Sequence, residues 1–412
     1  MAGSANVAFS RYLRTLREDR GLTLRRACEL STESSPIDKA ALSRFERGQQ
    51  GATLSMLIPL AHIYRVPSDA LIERFEADSE MDRVGAPETE GKCYADLLEA
   101  GRNALVRQGL KWEAYGFWRE ALERAGIDPP LPGYTEEQQR AVARLNLATV
   151  ARSLGKNRYA LFELTRLVHD GDLPPGLNAV ALDRIANCYR CLGEYEIAES
   201  FIDDAIAEAL RLEDRQPLAF AYFSRASNIL DQSMDEQGVE YLKLAFRADR
   251  EAGEHSVLRS SPALGVSTLI KLADVYYQTA RYEKAGRAAL AARDLSRRAG
   301  VASGEAYSEV LLGLVDESRG RHDSAVRRWR RVGRLAKRMH NTRLAFFAEF
   351  YVFRQAVKRA HHALARASRQ RLERLAPWVP SFLPQLQQFR AMTTDHPIDP
   401  QAAVRQVSPK GE

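Results

Sequence analysis

The chain has 412 residues, of which 45% are hydrophobic and 28% charged, and its net charge is +6. No apolar run approaches the roughly 18 residues that span a bilayer, and the opening MAGSANVAFSRYLR lacks the apolar core of a secretory signal. Four cysteines are too few for a disulfide scaffold. We therefore expect a protein of a reducing, cytoplasmic compartment that makes no membrane contact.

The charge is unevenly distributed along the chain. Residues 1–75 carry a net +3, residues 194–240 carry −9, and residues 319–376 carry +14. Such polarity indicates a charged ligand or partner, or two parts that attract each other. The basic run, which includes RGRHDSAVRRWRRVGRLAKR, can be a second nucleic-acid surface. Alternatively, it docks against the acidic region of the same or a second subunit.

The first 75 residues predict a series of short helices. The first helix ends near Arg20 at a Gly21 turn, and the second is capped by Thr23. In SSPIDKAALSRFERGQQ, Ser35 caps a third helix and Pro36 occupies its first turn, with Asp38 completing a capping box. Two further helices begin after Thr53 and near Pro67. On the third helix the pattern places Ile37, Ala41, Leu42 and Phe45 inward, and Lys39, Ala40, Ser43, Arg44 and Arg47 outward.

The motif L-R-x-x-R-x-x-x-G-L-T, followed by L-S-R-F-E-R-G, resembles the five-helix phage-repressor (Xre) type of helix-turn-helix domain. In that family the third helix enters the DNA major groove, and the domains bind double-stranded DNA as dimers. The resemblance places base contacts at Lys39, Ala40, Ser43 and Arg44, and phosphate or backbone contacts at Thr23, Arg25, Arg47 and Gln49. It also implies a structural ion pair between Arg17 and Glu46.

Two features depart from the usual form of this domain. The turn STESSPI between the second and third helices is about four residues longer than usual, and Pro59 lies inside the fourth helix, where a kink is expected. Neither feature prevents insertion of the third helix into a groove, but both leave open which residues of that helix contact the bases.

An internal repeat follows a polar segment, residues 76–92, that has the composition of a linker. Small residues recur at Ala160, Ala198, Gly238, Ala285 and Ala325, each followed by a larger apolar residue at helical spacing. A single helix pair leaves its apolar face exposed, so the copies must stack. The pattern resembles the tetratricopeptide repeat and predicts a repeat domain over residues 93–390, with a disordered tail at 391–412.

A small DNA-binding domain followed by such repeats resembles, in architecture, the peptide-responsive RNPP regulators that act in bacterial quorum sensing. The resemblance implies that the repeats dimerise and that their concave face binds an effector: a peptide, a small molecule or a protein. The residues expected on this face are Asn146, Arg152, Asp183, Asn187, Arg190, Phe223, Ser227, Asn228, Lys271, Asp274, Tyr277 and Gln278. Asparagines suit it because their amides bind both groups of an extended backbone.

Three other functions remain open from the sequence. The repeats can form an interaction scaffold whose head only tethers it to DNA. Cys188 and Cys191, one helical turn apart, can make the protein redox-responsive. Catalysis is the third, but we find no catalytic constellation, no metal-ligand spacing and no cofactor motif, so we expect neither an enzyme nor a bound cofactor.

The sequence therefore predicts an all-α chain: a five-helix, lambda-repressor-like DNA-binding domain followed by a right-handed TPR-like α-solenoid. The expected function is that of a dimeric, sequence-specific transcriptional regulator.

Overall fold

The computed structural model describes residues 6–31, 37–51, 53–171, 173–174, 176–252, 262–379 and 384–393. Within these ranges the regular structure is helical, and no strand is present. The chain begins with five helices: α1 (Val7–Asp19), α2 (Leu24–Glu29), α3 (Lys39–Glu46), α4 (Leu54–Ile63) and α5 (Ser68–Val84). The number and order of these helices match the predicted head.

The repeats occupy the rest of the described chain. They comprise α6 (Tyr94–Arg102), a π-helical segment (Asn103–Gln108), α7 (Lys111–Arg124), α8 (Glu136–Ser153), α9 (Asn157–Asp170), α10 (Leu177–Leu192), α11 (Tyr195–Arg211) and α12 (Arg215–Gln232). They continue as α13 (Glu236–Glu251), α14 (Pro262–Gln278), α15 (Tyr282–Ala299), α16 (Ala302–Ser318), α17 (His322–Arg338), α18 (Thr342–Lys358), α19 (His362–Leu375), a 3₁₀ turn (Ala376–Trp378) and α20 (Pro384–Thr393). Two compact units result, one built on α1–α12 and the other on α13–α20.

The head has its own apolar core, to which all five helices contribute. Its fully buried members include Phe9, Leu13, Ala27, Leu42, Leu57 and Leu71. Burial of each large side chain stabilises the fold by about 1.5–3 kcal/mol. Thr23 caps α2, as expected, by accepting a hydrogen bond from the Arg26 N–H. Thr53 lies at the start of α4 but makes no capping bond, and α4 runs on through Pro59.

The predicted linker is wrong over its first half, because α5 continues to Val84. Ala77, Asp78 and Met81, which lie in this stretch, are buried. Beyond the helix, Pro87 packs against Gly116 of α7 so closely that a Cβ there would lie 2.4 Å from the proline ring. The head is thus joined to the repeats by a packed helix rather than by a solvated linker.

A buried polar cluster joins α5 to the repeats. The Arg74 guanidinium binds the Asp78 carboxylate at 2.6 Å and also donates to the Tyr159 hydroxyl of α9. Asp78 accepts a second bond, at 2.9 Å, from the Tyr115 hydroxyl of α7. Arg74 also lies 4.6 Å from the centre of the Tyr12 ring of α1. Because buried charges are costly unless paired, this network fixes one arrangement of the head on α7 and α9.

Glu73 of α5 caps a helix of the repeats. Its carboxylate accepts hydrogen bonds from the Arg158 N–H at 2.8 Å and from the Tyr159 N–H at 3.0 Å. These are N–H groups of the first turn of α9, whose own N-cap residue, Lys156, makes no side-chain capping bond. A carboxylate at this position also complements the helix dipole. The head therefore completes the start of α9.

The repeat pattern predicted from the small residues is confirmed. In the first unit α6 to α12 pack in succession, and α10 also contacts both α8 and α12. In the second unit α14 to α19 pack in the same way, with α16 contacting α14 and α18. The small marker residues Ala160, Ala198, Gly238, Ala285 and Ala325 are all buried. Gly193, at a left-handed φ of +86°, ends α10 at the predicted turn.

The same glycine–tryptophan contact occurs once in each unit. The Trp118 indole donates to the Leu98 carbonyl at 3.2 Å and covers Gly101. The Trp329 indole donates to the Val310 carbonyl at 3.2 Å and covers Gly313. In both pairs a Cβ on the glycine would lie 2.3 Å from the indole nitrogen. α6 and α7 are therefore a full copy of the repeat.

The C-terminal boundary also needs a correction. The predicted tail begins at residue 391, but α20 continues through Thr393, and residues 394–412 lie outside the described residues.

Candidate nucleic-acid interface

The third helix exposes one polar face and buries one apolar face. Ile37, Leu42 and Phe45 are buried, and Lys39, Ala40, Arg44 and Arg47 are exposed. Ala41 and Ser43 are half-buried. The amphipathic pattern read from the sequence is therefore present in the structure, and the outer face is accessible within this chain.

The start of this helix differs from the prediction. Asp38 is the N-cap, and its carboxylate accepts a hydrogen bond from the Ala41 N–H at 3.1 Å. Ser35 and Pro36, which we expected to begin the helix, lie outside the described residues. Asp38 is a good N-cap because its short side chain reaches the free N–H groups of the first turn. Lys39 is consequently the first residue of α3.

A buried ion pair holds α3 against α1. The Arg17 guanidinium binds the Glu46 carboxylate in a bidentate geometry, with N–O distances of 2.8 and 2.9 Å. Arg17 also donates to the Leu22 carbonyl at 2.7 Å, and the Tyr64 hydroxyl donates to Glu46 at 3.1 Å. Burial and the adjacent Glu46 charge raise the pKa of Tyr64, so its hydroxyl keeps the proton that it donates. The expected structural role of Arg17 and Glu46 is confirmed.

The remaining residues expected at the interface lie on or beside α2 and α3. Thr23, Arg25 and Gln49 are exposed. The Arg25 and Arg26 guanidinium groups share the Glu29 carboxylate at 2.9 and 3.1 Å. Exposed pairs of this kind contribute little stability, so either arginine can exchange its carboxylate for a phosphate.

Two arginines of α3 are held near its outer face by local hydrogen bonds. Arg44 donates to the Gln50 side chain at 3.2 Å, and Arg47 donates to the Ser43 carbonyl at 3.1 Å. Both contacts use the Nε–H, and within the described residues no hydrogen bond from the terminal nitrogens of either guanidinium is found. A guanidinium with two free N–H groups can bind the O6 and N7 atoms of guanine, and a lysine can bind a base edge or a phosphate.

Comparison with known proteins agrees with this geometry. Residues 8–75 match the family model described as a helix-turn-helix domain. This part of the chain is a helix-turn-helix domain. No curated protein sequence matches the chain significantly.

Most of the chain is similar to solved structures at low sequence identity. A Rap protein complexed with competence and sporulation factor has 13% identity and a TM-score of 0.53, and the match covers 92% of this chain and 100% of that chain. PlcR of Bacillus thuringiensis, in complex with the peptide PapR7 and DNA, has 15% identity and a TM-score of 0.40, covering 74% and 99%. The likeness to the Rap protein shows the fold, a TPR-like array of helices.

The residues expected on the concave face are buried to different extents. In the first unit Asp183, Asn187, Ser227 and Asn228 are buried, and Asn146, Arg152, Arg190 and Phe223 are half-buried. In the second unit Lys271, Asp274 and Tyr277 are half-buried on α14, and Gln278 is exposed. The expected set thus divides between two units.

Two of the asparagines already donate their amide hydrogens within the protein. The Asn187 amide donates to the Asp183 carbonyl at 2.8 Å and to the Ser224 hydroxyl at 2.7 Å. The Asn228 amide donates to the Tyr195 carbonyl at 3.1 Å and to the Glu199 carboxylate at 2.8 Å. In this conformation the N–H groups of both amides hold helices together and are not free to bind an extended backbone, whereas the Asn228 carbonyl oxygen has no hydrogen-bond partner among the described residues.

Arg184 of α10 was not among the residues expected on this face, and its side chain is half-buried. Arg184 binds Asp183 at 2.7 Å and lies 4.7 Å from the centre of the Phe220 ring. Burial lowers the pKa of its guanidinium, and the charge of Arg152 adds to this effect. Arg184 falls one turn before Asn187 on α10, and this spacing could have identified it. The positive charges of Arg152 and Arg184 repel each other, and the Asp183 carboxylate offsets part of this repulsion.

The two neighbouring cysteines lie in different surroundings. Cys188 is buried in the core between α9 and α10, whereas Cys191 is exposed. Burial raises the pKa of the Cys188 thiol to about 12. Because the thiolate is the reactive form, this environment does not favour a redox role for Cys188.

Two other kinds of site are absent from the described residues. No group of three or more His, Cys, Asp or Glu side chains there is placed to hold a metal ion. Nor does any helix in those ranges have the length and apolarity needed to cross a membrane.

Proposed function

We propose that this chain is a sequence-specific, DNA-binding transcriptional regulator of the cytoplasm. The observation that carries the proposal is the outer face of α3, where Lys39, Ala40 and Arg44 are exposed inside a helix-turn-helix domain. The buried pair of Arg17 and Glu46 fixes this face relative to α1. A rigid helix with exposed basic and small side chains suits the major groove.

We also propose that the protein binds DNA as a homodimer. One small domain with a net charge of +3 contacts few bases and phosphates. Two copies on half-sites about one helical turn apart would double the contacts and read a palindromic site. The repeats are the part of the chain with enough surface to join the copies.

The repeats, in this proposal, sense an effector with an anionic group, such as the carboxylate of a peptide or of a small molecule. Support comes from Arg152 of α8 and Arg184 of α10, whose positive charges repel each other, a repulsion that an anionic group would relieve. An effector that moved these helices would also move α9, to which α5 is bound through Glu73 and Arg74. The head would then change its orientation on DNA, as a quorum-sensing regulator requires.

The test is selection of bound fragments from genomic DNA by the purified full-length protein, followed by footprinting of the strongest site. We expect a protected site with two related halves. The variant Lys39→Ala/Arg44→Ala should lose discrimination for this site, while Arg140→Ala/Arg211→Ala, which removes two exposed charges from the repeats, should keep it. Enrichment of no sequence above input would favour the scaffold function and refute the regulator.

A further inference from the structure

Helix α17 is polarised between one apolar side and one basic side. Ala325, Trp329, Val332 and Ala336 are buried in the core of the second unit. Trp329 therefore has a structural role in this core, and the arginines around it form the remaining sides of the helix.

Arginines at the edge of α17 are paired with acids of α16. Arg328 binds Glu309 at 2.6 Å and Asp316 at 2.9 Å, and Arg331 binds Glu305 at 2.8 Å. Burial disfavours the Asp316 charge, but hydrogen bonds from Arg328, Ser324 and Arg321 outweigh it and hold its pKa below the usual value. These arginines have a structural role and account for part of the basic run.

A second set of basic residues lies on the opposite side of the helix. The set comprises Arg327, Arg330, Arg334, Lys337 and Arg338, and all five are exposed. At 100° per residue they occupy a sector centred opposite the four buried residues. No salt bridge to any of them is found among the described residues. Like charges three or four residues apart repel one another, so an anionic partner would relieve this repulsion.

The acidic stretch 194–240 is a weak partner for this surface, because many of its acids are already paired. Arg225 binds Glu199 and Asp203, and Arg211 binds Glu208. Asp231 pairs with Arg190, and Glu240 pairs with Lys243. These five of the twelve acids in this stretch thus have a basic partner within the fold, and the two of those partners that lie outside it, Arg190 and Lys243, bring its net charge from −9 to −7. Docking of a second copy through this stretch would have to break these pairs.

The shape of the basic surface fits a nucleic-acid backbone better than a membrane. Arg327 and Arg338 are eleven residues apart, or about 16 Å along the helix axis at 1.5 Å per residue. None of the exposed large apolar side chains of the described chain lies on α17. An amphipathic helix on a lipid surface needs an apolar face toward the lipid, but the apolar face of α17 is in the core.

We propose that the outer face of α17 binds the phosphate backbone of duplex DNA. The partner is recognised by charge alone, because the surface offers arginine and lysine side chains without a groove-filling element. This inference rests on the proposed function, to which it adds a sequence-independent contact made by the repeats.

The experiment measures how the affinity of the full-length protein for a 30-base-pair duplex of arbitrary sequence depends on KCl concentration. The test variant carries Arg→Gln at residues 327, 330, 334 and 338. The matched control carries Arg→Gln at residues 102, 124, 140 and 211, each paired with a glutamate on its own helix. Both lose four positive charges, and thermal melting checks that both remain folded.

Each phosphate contact contributes about 0.9 to the slope of log affinity against log salt, so the test variant should lose about 2 to 4 units of slope. The control should keep the slope of the parent protein. An unchanged slope in the folded test variant, or an equal loss in the control, would overturn the proposal. So would a finding that the same four changes abolish self-association, or binding to vesicles with anionic lipid, and leave DNA binding intact.

A head variant separates this proposal from the proposed function. Lys39→Ala/Arg44→Ala should lose discrimination for the footprinted site while retaining the salt slope that depends on α17. Suppose the head variant still distinguishes the footprinted site from arbitrary DNA, whereas the α17 variant shows a smaller salt dependence of DNA affinity. The proposed base recognition by α3 would then be refuted, and the proposed α17 contact would be supported.

Discussion

The outer face of α3 and the polar face of α10 and α12 have similar patterns of polar residues in the sequence, but the two faces differ in burial. On α3 the polar side chains are exposed, and their hydrogen bonds are local. On α10 and α12, Asp183, Asn187 and Asn228 are buried and form hydrogen bonds with residues of neighbouring helices. Polar residues at helical spacing therefore indicate either a surface that can bind a ligand or a set of hydrogen bonds between packed helices. Burial decides between the two.

The largest effect is expected at Asp183, one of the buried polar residues of α10. Replacing it with Ala leaves Arg184 buried without its carboxylate and removes the partner of the Ser224 hydroxyl. We expect a loss of about 3–5 kcal/mol in the free energy of unfolding, measured by urea denaturation. Arg140→Ala on α8, which removes an exposed pair, should cost less than about 1 kcal/mol. Equal losses in the two variants would mean that Asp183 is not a structural residue.

The next largest effect on stability is expected at Glu46, whose ion pair with Arg17 holds α3 against α1. Glu46→Gln removes the charge that binds Arg17 and accepts from Tyr64. We expect a loss of about 2–3 kcal/mol in stability, because charged hydrogen bonds are replaced by neutral ones. DNA affinity should fall only as far as the head unfolds. A strong loss of affinity in a head that melts like the parent would show instead that Glu46 acts directly on DNA.

The exposed residues of α3 should show the opposite behaviour. Lys39→Ala and Arg44→Ala should each leave the melting temperature nearly unchanged, since neither side chain is buried. Each should weaken binding to the footprinted site by about 1–3 kcal/mol, or roughly 5- to 150-fold, if it contacts a base. Titration by fluorescence anisotropy measures this. Equal weakening on arbitrary DNA would reassign the residue to phosphate binding.

The smallest effect is expected at Cys188. Its pKa of about 12 leaves the thiol protonated at neutral pH, so alkylation of the native protein should modify Cys93 and Cys191 first. The labelling rate of Cys188 should rise about tenfold per pH unit below that pKa while the fold is intact. Mass spectrometry of labelled peptides measures this order. Rapid labelling of Cys188 at pH 7 would instead support a redox-responsive role for this cysteine.

The sequence predicted most of the architecture because apolar spacing and small residues report directly on packing. It placed the five head helices, the ion pair of Arg17 and Glu46, and the repeat markers correctly. The extension of α5 was missed because two buried positions of that helix are Arg74 and Asp78. A charged pair in a buried face interrupts the apolar period, so the segment looked like a linker. Burial at Asn187 and Asn228 was missed for a similar reason, since their partners lie on other helices.

Glu73 has a consequence for any attempt to exchange parts between related proteins. A chimera cut after residue 75 would retain this carboxylate but divide α5, which needs Ala77, Asp78 and Met81 for its packing. A foreign head without an acid at this position would leave the first turn of α9 uncapped. The natural point for recombination therefore falls after Val84, so that a transplanted helix-turn-helix domain keeps the helix through which it packs against the repeats.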